Sequence, residues 1–217
     1  MSNLETDFPT TYMLDTNLLR YLTGKTSSQT EEQRLKKSAE EFWSKVLEEV
    51  RDLDAQILLP QEVVRELNIQ MHILPTKTQE QLRSILSNLE TEDFDLSSSL
   101  EYELREFSSY AIQTYRDQIR PTQQTTTSSG KKEYKLEYLQ ASDARILVAA
   151  YLNDAVLVTR NIKDFIVYLL FCAPEEKRLY DFVEKQFVTI PAEGLALVYQ
   201  DEYFQAIQAK LEHLLMG

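Results

Sequence analysis

Three short runs of mostly apolar residues, Thr11–Leu14, Ala55–Leu59 and Ala155–Thr159, are each followed at once by polar residues and then by a helical pattern. A run without polar alternation belongs to a strand covered on both faces, and strands alternating with helices build a mostly parallel sheet between helical layers. The helical segments are marked by apolar spacing. Leu18, Leu19 and Leu22 precede Gly24, and Leu35, Phe42, Trp43, Val46, Leu47 and Val50 recur between Glu31 and Leu53. Pro60 closes the second strand and opens a helix from Gln61 to about Met71. Further on, Ser142 opens a helix to about Asn153, Ile162–Ala173 reads as helical, Phe187–Ile190 as a fourth strand and Tyr203–Leu215 as a terminal helix.

Between these blocks, Pro75 to about Arg120 carries two more helical patterns, with Leu82, Ile85, Leu86 and Leu89 in one and Leu100, Leu104, Phe107 and Ala111 in the other. The stretch Arg120–Lys132 has no apolar residue to offset its ordering entropy and reads as a mobile loop. Pro174–Asp181 reads as a connection or short helix, and no internal repeat is visible. The expected organisation is one domain over residues 1–217, with a helical insertion at about 74–135.

At 217 residues with a formal charge of −12, the chain is a poor candidate for coating nucleic acid through bulk electrostatics. Any contact with phosphates must be local. Met1–Thr10 lacks Lys and Arg, and no apolar run reaches membrane-spanning length, so the expectation is a cytoplasmic protein with no membrane partner. Cys172 lies in an apolar stretch and reads as a buried, inert thiol.

The chemistry-bearing residues are acids placed beside the apolar runs: Asp15, Glu66, Asp143 and Asp164. In a parallel sheet the carboxyl ends of the strands share one edge, so Asp15 and Thr159-Arg160-Asn161 are expected close together. Glu66 follows Pro60 by about a turn and a half, and Glu62 competes with it one turn earlier. Taken singly, each acid has a plain structural role, as a cap, a first-turn acid or part of a solvated helix face. Taken together they would repel one another and raise each other's pKa unless a cation offsets the charge. The available ligands are oxygens, and His72 and His213 have no partner at metal-binding spacing, which favours Mg²⁺ or Mn²⁺ over zinc. Such ions activate water for in-line attack on a phosphodiester, so hydrolysis of a nucleic-acid backbone is the expected reaction class.

Four motifs carry a family resemblance: Leu14-Asp15-Thr16-Asn17, Glu66-Leu67, Ser142-Asp143-Ala144-Arg145-Ile146-Leu147 and Val158-Thr159-Arg160-Asn161-Ile162-Lys163-Asp164-Phe165. In order and spacing they resemble the PIN-domain family over roughly Thr11–Met71 and Leu139–Ile190. The resemblance implies an α/β/α sandwich whose central, mostly parallel sheet has about four or five strands. It also implies a Mg²⁺- or Mn²⁺-dependent endoribonuclease acting on single-stranded or structured RNA, similar to the VapC-like toxins of type II toxin–antitoxin pairs. Asp15, Glu66, Asp143 and Asp164 then take the metal positions, while Asn17, Thr159 and Asn161 orient ligands or water.

Two departures stand out. Asn161 occupies a position where many members have an acid, and the segment Leu74–Glu133 is absent from compact toxins. That insert would serve as a lid, a homodimer surface or a surface for a small antitoxin. Its tyrosines and their neighbours, Tyr102, Tyr110, Tyr115, Tyr134 and Tyr138, read first as core packing and second as platforms for unpaired bases. Arg160 and Lys163 are candidate phosphate contacts, with Lys131 and Lys132 behind them. The alternative to a nuclease is a non-catalytic PIN-like module that binds protein or RNA. A phosphatase with Asp15 as nucleophile ranks lower, because Asn17 removes the general acid expected at that turn.

Overall fold

A computed structural model describes residues 9–24, 30–92, 94–121 and 134–216. Strands β1 (Thr10–Leu14), β2 (Ala55–Pro60), β3 (Glu90–Glu92), β4 (Val156–Thr159), β5 (Leu179–Asp181) and β6 (Gln186–Val188) form one sheet among the described residues. Its order is β3-β2-β1-β4-β5-β6, with β6 alone antiparallel to its neighbour. Helices α1 (Thr16–Thr23), α2 (Thr30–Arg51), α3 (Gln61–Met71), α4 (Thr76–Leu86), α5 (Ser98–Ile119), α6 (Ala141–Leu152), α7 (Ile162–Phe165), α8 (Ala192–Val198) and α9 (Glu202–Met216) cover both faces. No helix among the described residues is long and apolar enough to cross a membrane.

The central strands are where the apolar runs placed them. Met13 aligns with Leu58 on one side and Leu157 on the other, and all three lie in parallel strands. Met13, Leu14, Leu157 and Val158 have no exposed surface, as expected of strands sealed between two layers. Helix α2 buries Leu35, Ala39, Phe42 and Val46, one stripe at steps of four and three, and leaves its charges outside. Helix α6 is different, because Ala144, Ile146, Leu147, Val148, Ala149 and Ala150 are all buried. An all-round apolar helix lies inside a protein, and α6 is packed by α3, α5, α7 and α9 as well as by β2 and β4.

The sheet has six strands, one more than the upper expectation, and the two unanticipated ones have physical reasons. Strand β3 is Glu-Thr-Glu, with no apolar residue, and exists because it pairs with β2 at the sheet edge, where charge is tolerated. It falls inside the stretch read as a purely helical insertion, which therefore contributes to the sheet. Strand β5, in the segment read as a connection or short helix, is only three residues long and is held between β4 and β6. Ile162–Ala173 is not one α-helix: after one turn in α7 it tightens into a 3₁₀ helix at Ile166–Phe171. Every residue of that 3₁₀ segment is buried, so packing on all sides overrides the ordinary preference for α geometry. Most of the proposed mobile loop, with Lys131 and Lys132, lies outside the described residues.

The tyrosine expectations resolve in favour of packing at three positions. Tyr110 and Tyr115 donate to one carboxylate oxygen of Asp201, at 2.6 and 2.5 Å, and Tyr134 donates to buried Asp181 at 2.9 Å. Burial pushes the Asp201 carboxyl up, but the two phenols and the Tyr203 and Phe204 amides hold it below its ordinary value. Tyr102 and Tyr138 are exposed. Cys172 donates to the Tyr168 carbonyl, and burial pushes its thiol up to about 12, which fits the inert reading. His72 and His213 are exposed.

Helix α8, which the sequence pattern did not reveal, docks by close backbone approach at Gly194. A Cβ there would stand 2.1 Å from the Gln118 carbonyl oxygen near the end of α5. Since backbone cannot yield as a side chain does, Gly194→Ala is expected to destabilise the fold by about 1–3 kcal/mol, read from the urea midpoint at unchanged m-value.

Candidate metal centre

The sheet order reverses between β1 and β4, so their carboxyl ends flank the crevice where parallel α/β proteins bind ligands. Asp15 directly follows β1. Its amide donates to the Val158 carbonyl at 3.1 Å, and its side chain accepts from Thr159 Oγ1 at 2.7 Å and Asn17 Nδ2 at 3.0 Å. Thr159, fully buried, accepts in turn from the Asn161 amide at 2.7 Å. One hydroxyl thus joins the ends of two strands. Burial raises the Asp15 carboxyl above its ordinary range, opposed by the Thr159 and Asn17 hydrogen bonds and reinforced by the charge of Glu66.

Glu66 accepts a hydrogen bond from Thr16 Oγ1, which pins α3 to the start of α1. Its competitor Glu62 is engaged elsewhere, with Arg145 at 3.2 Å and Arg65 at 3.4 Å. Asp143 lies in the first turn of α6 and accepts from the Gln140 amide at 3.3 Å, the capping geometry that the plain reading anticipated. Capping alone lowers a carboxyl pKa. Here burial, followed by the charges of Asp164, Asp15 and Glu66, pushes Asp143 up to about 7. Asp164, 7% exposed in α7, is raised by burial, an effect that Lys163 and a hydrogen bond from Asn161 oppose and Glu137 reinforces.

Three of the sequence-predicted acids, Asp15, Glu66 and Asp164, therefore act electrostatically on the fourth, Asp143. They are not drawn into a ligand shell: among the described residues no three His, Cys, Asp or Glu side chains are grouped closely enough to hold a metal ion. The donor set, carboxylate oxygens with amide and hydroxyl oxygens beside them, nonetheless fits a hard divalent cation. Asp143, raised to about 7 by burial and by three neighbouring acids, is a group that such a cation would relieve.

A cleft of about 550 Å³ is lined by Asn17, Arg34, Tyr134, Arg160, Asn161 and Lys163 among others; none of the four acids lines it, but Asn17 bonds to Asp15 and Asn161 to Asp164. Both candidate phosphate contacts have protein partners. The Arg160 guanidinium lies 5.7 Å from the Tyr21 ring centroid and donates to the Tyr21 hydroxyl, and Lys163 pairs with Glu137. A larger hollow of about 900 Å³ opens beside Thr11, Gln56 and Arg178, at the amino ends of the central strands, away from the acids.

Sequence reasoning missed Thr16, Arg145 and Glu101. Thr16 stands inside the Leu14–Asn17 motif, between Asp15 and Asn17, whose chemistry is more obvious. Arg145 had a usable signal, since it is the only cation in α6, a helix otherwise apolar after its first turn.

No protein-family model matches the chain, and no curated protein matches it. Among solved structures, the chain is similar to VapBC2 from Rickettsia felis bound to a DNA fragment from their promoter. That match has 21% identity and a TM-score of 0.43, covering 70% of this chain and 89% of that one. It is also similar to FitAcB from Neisseria gonorrhoeae, at 16% identity and a TM-score of 0.41, covering 72% of this chain and 92% of that one. At such distances, what the site can do has to be read from its own residues.

The raised Asp143 makes a signed prediction. Between about pH 4 and 7 the folded state keeps a proton that the unfolded state has released, so stability falls as pH rises through that window and levels off above 7. In EDTA, Asp143→Asn should therefore be more stable than the wild type at pH 8, by on the order of 2 kcal/mol, with the advantage shrinking toward pH 5. Melting curves at the two pH values measure this; equal stability of the two proteins at pH 8 contradicts the raised carboxyl.

Proposed function

We propose that this chain is a PIN-like, Mg²⁺- or Mn²⁺-dependent endoribonuclease of single-stranded RNA, acting as a toxin restrained by a small antitoxin over the cleft. The observation that carries the reading is the convergence on Asp143 of charge from Asp164, Asp15 and Glu66 inside a partly buried crevice. Four acids on α1's leading edge, α3, α6 and α7 are costly to keep together, and a divalent cation is the partner that repays the cost. The family resemblance of the four motifs supports the same assignment, and the toxin role rests on that resemblance.

In this reading Asp15, Glu66, Asp143 and Asp164 hold the cation, which when bound supplies an activated water and neutralises charge on the phosphodiester. The chain's other residues orient these groups. Thr159 and Asn17 fix the Asp15 carboxylate by donating to the same oxygen. Thr16 aims Glu66, and Asn161 steadies Asp164. Arg160 and Lys163 meet the phosphates by exchanging Tyr21 and Glu137 for the substrate strand. With a −12 chain, those few cations must act at short range.

The non-catalytic module remains the second reading, favoured by the absence among the described residues of three acids at ligating separation. Cleavage of a labelled single-stranded RNA pool separates the two. The nuclease reading expects cutting with Mn²⁺ or Mg²⁺, none in EDTA, and a loss on the order of 100-fold or more in folded Asp143→Asn. A folded wild-type protein that binds the pool without cutting it in either metal establishes the module instead.

A further inference from the structure

Helix α6 carries one cation, Arg145, between the buried apolar residues Ala144 and Ile146. Its guanidinium bonds in two directions, to Glu62 Oε2 of α3 at 3.2 Å and to Glu101 Oε2 in the first turn of α5 at 2.6 Å. Both glutamates are almost covered, at 11% side-chain exposure, and each has a second arginine on its outer side, Arg65 at 3.4 Å and Arg105 at 3.6 Å. The result is an alternating chain, Arg65–Glu62–Arg145–Glu101–Arg105, that crosses three helices.

Stability alone is a weak reason for such a chain, since well-packed apolar side chains hold helices together at lower desolvation cost. Its placement is informative. Glu62 lies four residues before Glu66, on the same face of α3, and Arg145 lies two residues after Asp143 in α6. A bond between Glu62 and Arg145 is therefore a strut between the helix that carries Glu66 and the helix that carries Asp143. Those two acids repel, and directional bonds to two carboxylates fix separation and rotation where apolar contacts would let helices slide.

We infer that Arg145 is a positioning residue: by clamping Glu62 of α3 and Glu101 of α5, it sets how the helices that carry Glu66 and Asp143 stand to one another, and with that the affinity of these acids for a divalent cation. This rests on the metal reading of those acids. It also gives the first helical turn of α5 a task, since Glu101 holds the guanidinium that braces the site. The segment read as an insertion thereby becomes part of the support of the metal centre.

The test is Mn²⁺ binding by the full-length protein, read from the free-ion signal in electron paramagnetic resonance, beside the metal-free melting temperature. The set comprises wild type, Asp143→Asn, Arg145→Gln, Arg145→Lys, Glu101→Gln and the remote core variant Val46→Ala as a control for lost stability. Wild type should bind and Asp143→Asn should lose at least tenfold in affinity. Arg145→Gln should also lose about tenfold, with Arg145→Lys and Glu101→Gln between it and wild type, and Val46→Ala within twofold of wild type. Folded Arg145→Gln that binds like wild type while Asp143→Asn does not would overturn the positioning role and leave the metal reading standing. A loss in Val46→Ala equal to that in Arg145→Gln would overturn it too, by assigning the effect to stability. Wild type that binds no Mn²⁺ overturns both. Should Arg145→Gln not fold, wild-type affinity in both Arg145→Lys and Glu101→Gln overturns the inference by itself.

Discussion

Strand β1 is hydrogen-bonded in parallel to β2 on one side and β4 on the other, and that double pairing fixes where the chemistry can be. The strand ends just before Asp15, and the register that sets Leu14 against Val158 leaves Asp15 beside Thr159. With Met13 and Leu14 sealed on both faces, a slip of one residue would drive the Asp15 carboxylate into hydrocarbon and expose an apolar side chain in its place. The position of the acid is thus enforced by the core rather than by local preference, and the Thr159 hydroxyl completes the fixation by bonding across the two strand ends.

From that anchor the other acids are brought in by helices, and each arrival costs free energy. Asp15 and Asp164 are almost fully buried, and Asp143 is raised to about 7 by burial and its neighbours. The opposing terms are specific: hydrogen bonds from Thr159 and Asn17 to Asp15, from Thr16 to Glu66 and from the Gln140 amide to Asp143. None of these supplies a positive charge. Of the cations nearby, Lys163 acts on Asp164 while pairing with Glu137, and Arg145 is committed to Glu62 and Glu101. The excess negative charge of the crevice is left for something outside the chain to neutralise, which is the electrostatic basis for reading it as a cation site.

Legibility in the sequence followed the physics of burial. Strands β1, β2 and β4 could be read because each is covered on both faces and so is apolar throughout; β3 and β5 could not, because three residues at or near an edge owe their conformation to a partner strand rather than to a pattern of their own. The same division runs through the site. Asp15 and Thr159 were legible as polar residues ending apolar runs, and Asp143 as an acid opening an apolar helix. What separates Glu66 from Glu62 is their partners, Thr16 for one and Arg145 for the other, and contacts that depend on several helices meeting leave no mark at the spacing of either glutamate. The 3₁₀ turn after α7 was illegible for a related reason, since its apolar residues fit either helix type and only the surrounding space selects the tighter one.

The role of residues 74–135 follows from these contacts more than from their helical content. Had the segment been an appendage, its buried residues would face one another; instead Leu100, Leu104, Phe107 and Ala111 of α5 face inward to the common apolar cluster, and α5 packs against α6, α8 and α9. Strand β3 extends the sheet, and the Ser108 hydroxyl accepts from the Leu139 amide just before α6 begins. Helix α5 therefore bounds α6 along its apolar length and, through Glu101, at its one cation. Since α6 presents Asp143 from its first turn, any shift of α5 is transmitted to that carboxylate through a rigid, close-packed helix rather than through a loop.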